Sequence, residues 1–225
     1  AGDRKCLSFG TDTDADVRIV GGTGKQLNLE VRGEPQLFEF ALLGEHNRLN
    51  AAAAVAVAVA ADLPLDAISR GLARVSAVKG RLNAQRLQGD SLLIDDSYNA
   101  NQASMRAAID VLAEQGGTRI LVLGAMGELG ERSSEIHREI GEYAHSRGID
   151  RLFTLVDRKE TEYLDDMAAY LKGFGMNAQA FTEVERLVDR IDALGAPLSV
   201  LVKGSRFAAM ERVVEEIKSR GKRPC

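Results

Sequence analysis

The strand pattern of this chain is clearest at Thr118-Arg119-Ile120-Leu121-Val122-Leu123, which runs directly into Gly124. A short, continuous apolar run of this kind is typical of a strand in a parallel sheet that is covered on both faces. Similar runs alternate with amphipathic segments from residue 85 onwards, and right-handed crossovers would place the strands in one sheet. We therefore predict an α/β domain with an open, doubly wound and mostly parallel sheet. The predicted strands are Ser91–Asp95, Thr118–Leu123, Arg151–Leu155, Met176–Ala180 and Leu198–Val202. The predicted helices are Gln102–Glu114, Ser133–Ser146, Glu160–Leu171, Val184–Leu194 and Ser205–Ile217.

The first part of the chain has a different pattern. Alternating or β-branched stretches at Val17–Val20, Leu27–Val31 and Leu37–Phe40 are separated by glycine-containing turns and predict strands. An Ala-rich helix follows, with Asn47 as its predicted cap and its end at about Ala61, and a shorter helix comes after it. The change to a regular alternation predicts a domain boundary near residue 85.

Composition and charge exclude several classes of function. The 225 residues carry a formal net charge of −4, which argues against a protein that coats nucleic acid, because neutralising phosphates requires clustered Lys and Arg. The two cysteines, Cys6 and Cys225, cannot form a disulfide framework or a zinc site and favour a cytoplasmic location. We find no signal segment and no apolar run of roughly 20 residues, so we predict no membrane insertion. We also expect a monomer.

Three polar segments follow predicted strands, at the edge where parallel sheets bind their ligands. The first is Asp95-Asp96-Ser97-Tyr98-Asn99-Ala100-Asn101. Two adjacent carboxylates could hold a ribose, a metal ion or a charged amine, and the tyrosine could pack on a base. The same residues could equally form an Asx-rich turn that caps the following helix.

The other two segments contain glycine. Gly124-Ala125-Met126-Gly127-Glu128-Leu129-Gly130 does not have the G-x-G-x-x-G spacing of a dinucleotide site, which disfavours a dehydrogenase. It could form a loop over a ligand or a long turn. Val202-Lys203-Gly204-Ser205-Arg206 places two cations and a hydroxyl at a predicted helix start, where a carboxylate or phosphate could bind. A solvated basic turn is the alternative.

Polar residues also stand at the head of the Ala-rich helix. They are His46, Asn47 and Asn50, and capping explains Asn47 but not Asn50. The sequence Gly24-Lys25-Gln26 is not a phosphate loop, since the earlier glycine would fall at Ile19 and Gln26 replaces the required Ser or Thr.

Two further histidines, His137 and His145, lie on the predicted helix Ser133–Ser146 among charged residues. We predict that they are solvated surface residues and assign them no role. The residues predicted to share one face of this helix are Ile136, Ile140, Tyr143 and Ala144.

Taken in order, five segments resemble the Mur ligase family. They are Gly44-Glu45-His46-Asn47-Arg48-Leu49-Asn50-Ala51, Lys79-Gly80-Arg81, the segment from Asp95 to Asn101, Leu123 to Gly130, and Val202 to Arg206 followed by Met210-Glu211. The form D-D-S-Y-N-A-N most resembles the member that adds D-Ala-D-Ala to UDP-N-acetylmuramoyl-tripeptide. The resemblance implies that residues 1–84 are the C-terminal part of a mixed α/β central ATP-binding domain. Residues 85–225 would be a C-terminal, Rossmann-like ligase domain.

The implied activity is ATP-dependent amide bond formation in peptidoglycan precursor synthesis, through an acyl phosphate, with ATP and Mg²⁺ as cofactors. The resemblance assigns His46, Asn47 and Asn50 to the adenine side of ATP, Asp96 to the ribose and Tyr98 to the nucleotide. It assigns Asn99, Asn101, Ser205 and Arg206 to the substrate, and Arg81 and Lys203 to catalysis, with Arg81 at the phosphates. No metal ligand is predicted within the chain.

The sequence departs from the family pattern in two places. Ala125 stands where an acidic residue is expected, and the phosphate-binding loop and the central magnesium ligands do not occur in these 225 residues. The chain therefore resembles a fragment, and we expect that it does not turn over alone. Two alternatives remain: a related ligase with another amine substrate, such as a folylpolyglutamate synthetase-like enzyme, and a non-catalytic nucleotide-binding α/β module.

Overall fold

The computed structural model describes residues 5–157 and 161–221. It divides the chain into two compact units, Ala1–Ala77 and Val78–Cys225, each with its own hydrophobic core. The predicted boundary near residue 85 falls inside the second unit, because a strand that begins at Asn83 pairs within the sheet of that unit.

The first unit contains a sheet of short strands in the order β1-β2-β3-β4. Its strands are β1 (Phe9–Gly10), β2 (Val17–Gly21), β3 (Gln26–Val31) and β4 (Glu34–Glu39). β1 pairs with β2 in parallel, and the other pairs are antiparallel. Alternate residues of β3, namely Leu27, Leu29 and Val31, are buried in the core of this unit. Arg32 and Gly33 both have positive φ and form the tight turn into β4.

Two helices, α1 (Glu45–Ala60) and α2 (Leu65–Ala73), complete the first unit. One face of α1, formed by Ala51, Ala52, Val55 and Ala56, is buried in the core. The prediction that Asn47 caps α1 is wrong, because Gly44 is the cap residue and the Asn47 side chain donates to the Leu43 carbonyl at 2.7 Å.

The second unit is built on a sheet in the order β5-β6-β10-β7-β8-β9. Its strands are β5 (Asn83–Arg86), β6 (Leu92–Asp96), β7 (Thr118–Leu123), β8 (Arg151–Leu155), β9 (Ala178–Phe181) and β10 (Leu198–Lys203). The pairing is parallel except between β5 and β6. The predicted α/β class with a mostly parallel sheet is therefore confirmed, and β5 is a strand that the sequence did not indicate.

Helices cover both faces of this sheet, as a doubly wound fold requires. They are α3 (Gln102–Ala113), α4 (Ser133–Ser146), α5 (Leu164–Phe174), α6 (Val184–Asp192) and α7 (Glu211–Gly221). α6 and α7 pack on one face, where Leu198, Val200 and Val202 of β10 join their core. Because side chains alternate along a strand, Lys203 points to the opposite face, on which α3 packs.

Two predicted helix starts differ from the structure. The chain after β10 forms a short 3₁₀ turn at Arg206–Ala208 and a left-handed residue at Ala209, so α7 begins at Glu211 and the prediction of a helix from Ser205 is wrong. The predicted start of α5, Glu160, lies outside the described residues, and the α-helix begins at Leu164.

Candidate functional site

The carboxyl ends of two neighbouring strands, β6 and β10, form the floor of a pocket of about 250 Å³. Asp96 ends β6 and Lys203 ends β10, and the two residues are register partners. This is the edge at which open parallel sheets bind ligands. The residues that line the pocket are Gly80, Arg81, Asp96, Tyr98, Asn99, Ala100, Asn101, Ser104 and Lys203.

Two of the lining residues, Asp96 and Lys203, form a buried ion pair. Nζ of Lys203 is 2.6 Å from Oδ2 of Asp96 and donates at 2.8 Å to the carbonyl oxygen of Asn99. Lys203 is 2% exposed and Asp96 9%. The other oxygen of Asp96 accepts from the backbone N–H of Leu82 at 3.1 Å. A paired, hydrogen-bonded arrangement of this kind is what makes buried charges tolerable.

The neighbouring carboxylate, Asp95, has a structural role. It is fully buried, and one of its oxygens accepts from the N–H and the hydroxyl of Ser97 at 3.2 and 2.6 Å. The other oxygen accepts from the backbone N–H of Gly80 at 3.2 Å. Asp95 thus ties the segment before β5 to the turn after β6, and only Asp96 of the predicted carboxylate pair lines the pocket.

Arg81 and Tyr98 form one wall of the pocket. The guanidinium carbon of Arg81 lies 4.7 Å from the centre of the Tyr98 ring, within the range of a cation–π contact. Gly80 brings the two segments together, since its carbonyl accepts from Tyr98 N at 3.0 Å. A Cβ on Gly80 would lie 3.1 Å from the Tyr98 backbone nitrogen, and its φ is +77°. The wall therefore depends on a glycine at this position.

The start of α3 also contributes to the pocket. Asn101 is the cap residue: its side chain accepts from Ser104 N at 2.8 Å, and the Ser104 hydroxyl accepts from Asn101 N at 3.0 Å. This capping box confirms that the polar turn caps the helix. Asn99, Ala100 and Asn101 also line the pocket, so the two alternatives for this segment do not exclude each other.

Ser205 joins three loops beside the pocket. Its N–H donates to the Ala125 carbonyl at 3.0 Å, and its hydroxyl accepts from Gly127 N at 2.9 Å. The hydroxyl also lies 3.4 Å from the Ala100 carbonyl. Ser205 is 5% exposed. Since α7 begins only at Glu211, Ser205 does not start an α-helix, and it instead holds loops together. The carboxylate or phosphate site predicted for this segment stays a prediction.

The loops after β7 and β10 pack backbone against side chain with little spare room. A Cβ on Gly124 would lie 2.8 Å from the Met210 sulfur, and one on Gly204 would lie 2.7 Å from Met210 Cγ. Ala125 is 3% exposed. Arg206 points outward and pairs with Glu211 at 3.1 Å. The glycines of both segments therefore allow the two loops to pack closely, and Arg206 lies outside this packed region.

His137 is buried, and its prediction as a solvated surface residue is wrong. It is 0% exposed, its Nε2 accepts from Met126 N at 3.0 Å, and its Nδ1 lies 2.7 Å from the Ser133 carbonyl. Burial lowers the pKa of His137 below its ordinary value of 6.5. The buried face of α4 is His137, Ile140, Gly141 and Ala144. The i, i+3, i+7 spacing of His137 with Ile140 and Ala144 is the sequence signal that would have placed it there.

The predicted residues His46, Asn47 and Asn50 lie in the first unit, on the first turns of α1. His46 and Asn50 are exposed, and Asn47 is half-buried. Their spacing of three and four residues places them side by side on the helix surface.

Residues 5–157 and 161–221 present no group of three or more His, Cys, Asp or Glu side chains that could hold a metal ion. Within the same ranges, no helix has the length and apolar character needed to cross a bilayer.

A doubly wound parallel sheet with a charged pocket at its carboxyl edge defines a class of ligand-binding α/β domains. Residues 80–206, which carry this sheet and pocket, match the family model described as Mur ligase, glutamate ligase domain. The chain belongs to the Mur ligase family.

Individual relatives carry more specific names. The UDP-N-acetylmuramoyl-tripeptide–D-alanyl-D-alanine ligase of Escherichia coli strain K12 is 42% identical over 180 residues, which are 80% of this chain and 38% of that protein. MurF from Acinetobacter baumannii is 31% identical, with a TM-score of 0.80 over 95% of this chain and 46% of that one. MurF from Thermotoga maritima, in complex with ADP, is 25% identical, with a TM-score of 0.79 over 95% and 48%. The predicted resemblance is thus confirmed, and the chain spans less than half the length of these relatives.

Proposed function

We propose that this chain is part of an ATP-dependent ligase that adds D-Ala-D-Ala to UDP-N-acetylmuramoyl-tripeptide. The names of the relatives support the substrates, and the ADP in the Thermotoga maritima structure supports the nucleotide. The observation on this chain that carries the proposal is the buried Lys203–Asp96 pair at the carboxyl edge of the sheet. A buried, oriented pair at a ligand-binding edge suits the positioning of charged substrates.

The reaction that we propose joins a carboxylate and an amine. The tripeptide carboxylate attacks the γ-phosphorus of ATP, the bond from that phosphorus to the bridging oxygen breaks, and ADP leaves. The amine of D-Ala-D-Ala then attacks the acyl phosphate carbon, which forms the amide and releases phosphate and a proton. Both steps bring anions together and need positive charge and the exclusion of water.

The pocket residues have separate roles in this proposal. Asp96, held by Lys203 and Leu82 N, would accept a hydrogen bond from the nucleotide ribose. Tyr98, which is 49% exposed, would offer its ring to the nucleotide, and Arg81 beside it would approach the phosphates. Asn47 and Asn50 of α1, with His46, would contact the adenine side. These roles are carried over from the family resemblance.

The amine substrate of the second step, D-Ala-D-Ala, would lie toward Ser205 and Arg206. Arg206 is exposed and could exchange its pairing with Glu211 for the free carboxylate of a dipeptide, as guanidinium–carboxylate pairs are strong. Asn99 and Asn101 line the pocket and would offer amide groups to the same substrate. Lys203 would orient Asp96 and the Asn99 turn rather than move freely, because it is buried.

Magnesium would neutralise the nucleotide phosphates when bound. The described residues do not present a cluster of ligands for it, so we assign none of them to the metal. The phosphate-loop motif G-x-x-x-x-G-K-[ST] is also not found in the 225 residues, and we expect no turnover from them alone. A cytoplasmic location fits the scarcity of cysteine.

A chimeric enzyme tests the proposal. The 180 matched residues of the Escherichia coli relative would be replaced by the corresponding residues of this chain, and ADP release measured with the UDP-linked tripeptide. We expect release that depends on D-Ala-D-Ala and not on free D-Glu or a diamino acid. Release with another amine alone would show a different ligase, and a folded chimera without release would contradict the proposal.

The matched controls are two lysine substitutions in the chimera. Lys203→Met should abolish D-Ala-D-Ala-dependent release, whereas Lys172→Met, at an exposed lysine of α5, should leave it unchanged. Equal activity of the two variants would remove Lys203 from the proposed site.

A further inference from the structure

The loop Gly124–Gly130, here called the glycine loop, is held from two sides. From the β10 side, Ser205 donates to Ala125 O at 3.0 Å and accepts from Gly127 N at 2.9 Å. From the α4 side, His137 accepts from Met126 N at 3.0 Å. Three successive residues of the loop are therefore each bonded to a residue outside it, and the middle bond belongs to a histidine that the proposed reaction does not use.

The hydrogen bonds of His137 define its protonation state. Nδ1 lies 2.7 Å from the Ser133 carbonyl oxygen, which can only accept, so Nδ1 carries the proton. Nε2 is then the acceptor for Met126 N–H. An imidazolium would carry a second proton on Nε2, opposite the N–H of Met126, and two donors cannot bond to each other. His137 can therefore accept the hydrogen bond from Met126 N–H only while it is neutral.

The surroundings of the imidazole keep it neutral and fixed. Asp166 and Tyr170 face it from α5: Oδ1 of Asp166 lies 3.7 Å from Nδ1, and the Tyr170 ring packs edge-to-face at 4.6 Å. Both Asp166 oxygens are bonded to hydroxyls, those of Ser133 and Ser134, at 2.7 and 2.8 Å. Asp166 favours the charged imidazole, but the larger effect of burial opposes it and lowers the pKa of His137.

The glycine loop is connected to two residues that line the pocket, Lys203 and Ala100. Gly124 N donates to Lys203 O at 2.9 Å, and Ser205 reaches toward the Ala100 carbonyl at 3.4 Å. A displacement of residues 125–127 would therefore be transmitted to Ser205, and from there to the segment that carries Lys203.

We infer that His137 is a positioning residue, which fixes the glycine loop against Ser205 and so holds the substrate side of the pocket in place. The part of this inference that concerns substrate rests on the proposed ligase function. The part that concerns the loop does not, because the bond to Met126 can be measured in the chain itself. Protonation of His137 breaks its bond to Met126 N and leaves the loop held by Ser205 alone, so the positioning by His137 is lost in acid.

Amide hydrogen exchange measured by NMR on the full chain tests the loop contact. His137→Leu removes the acceptor, His137→Gln keeps an acceptor that does not titrate, and His145→Leu is the matched control at an exposed position of the same helix. We expect the Met126 amide to lose about tenfold in protection in His137→Leu, the scale of one hydrogen bond, but not in the other two variants.

A pH series keeps this test independent of whether His137→Leu folds. Protection of the Met126 amide in the unmodified chain should decline as the pH falls below 6.5, and in His137→Gln it should not. The same pH response in both chains, or an unaltered Met126 amide in a folded His137→Leu chain, would overturn the inference.

The chimeric ligase provides the functional measurement. His137→Leu should raise the KM for D-Ala-D-Ala by about tenfold with a much smaller change in kcat, and His137→Gln should restore the KM near neutral pH. If His137→Leu loses Met126 protection but the parent chimera shows no turnover, the ligase proposal is contradicted and the contact between His137 and the loop is still supported. An active chimera whose KM does not respond to His137→Leu would refute the positioning role.

Discussion

At the scale of single residues, burial decides which of the polar side chains are structural and which border the pocket. Asp95 and Asp96 are neighbours in the chain. Both oxygens of Asp95 accept hydrogen bonds from backbone and serine donors, whereas Asp96 lines the pocket. The pleat of β6 separates them, because successive side chains point to opposite faces of a sheet. Residue type and adjacency could not distinguish the two, but the strand register does.

Replacing Lys203 should destabilise the second unit. In Lys203→Met, Asp96 would remain 9% exposed without its cation, and breaking a buried pair in this way costs about 3 kcal/mol. Urea denaturation followed by circular dichroism measures the change in the free energy of unfolding. The double variant Asp96→Asn/Lys203→Met should recover most of the loss, and strictly additive effects would show that the pair contributes no coupling.

His137 should make the stability of the chain depend on pH. Burial lowers its pKa in the folded chain below 6.5, so the unfolded chain binds more protons as the pH falls below that value. The stabilisation is complete above 6.5 and declines in acid, by up to about 1.4 kcal/mol per pH unit. The free energy of unfolding, measured across this pH range, should no longer show this acid-dependent decline in His137→Gln. The decline should remain in His145→Gln.

At the scale of elements, glycines set how closely the helices can approach. Gly141 of α4 and Gly173 of α5 lie against the partner helix, where a Cβ would come within 2.3 Å of Tyr170 O and 2.1 Å of Arg138 O, respectively. This contact holds α4 at the depth at which His137 reaches the glycine loop. The bounds of α4 were predicted correctly. Of its predicted face, Ile140 and Ala144 are buried, whereas Ile136 and Tyr143 are only partly buried. The spacing of His137 with Ile140 and Ala144 marks the buried face, but a glycine and a histidine add little hydrophobic signal to that pattern.

Alanine substitution at two helical glycines should have opposite effects. Gly141→Ala should destabilise the second unit by about 2 kcal/mol, because overpacking outweighs the gain in helix propensity. Gly71→Ala in α2, where nothing lies within 4 Å of the added Cβ, should stabilise the first unit by up to about 1 kcal/mol. Thermal unfolding of both variants measures the difference, and a stabilising Gly141→Ala would contradict the close α4–α5 contact.

At the scale of the whole molecule, the chain is two units with separate cores. The core of the first joins its sheet to α1 and α2, and the core around α6 and α7 belongs to the second. The sequence indicated two domains from a change of pattern near residue 85, and the division at Ala77/Val78 differs because β5 has little pattern of its own. Its residues, Asn83–Arg86, are mostly polar, and only their pairing with β6 makes them a strand.

The second unit should fold without the first. Residues 78–225, expressed alone, should retain cooperative unfolding and the NMR amide signals of β7 and of Met126, because the sheet and both of its helical layers lie within this range. Comparison of these signals with those of the full chain is the measurement. A molten or aggregated product would contradict the independence of the second core.

Four features follow from the sequence without the structure: the α/β class, five of the strands of the second unit, the polar segments after those strands and the resemblance to Mur ligases. These features are local. A hydrophobic period of two or of 3.6 residues, or a glycine-containing segment, indicates the structure of one chain segment whatever that segment packs against. The tertiary structure alone decided that β10 lies between β6 and β7, which joins Lys203 to Asp96 across 107 residues of chain. It also decided that His137 is buried on the glycine loop. Both depend on which distant surfaces pack together, and that choice is made by the summed burial of the whole core rather than by any one segment.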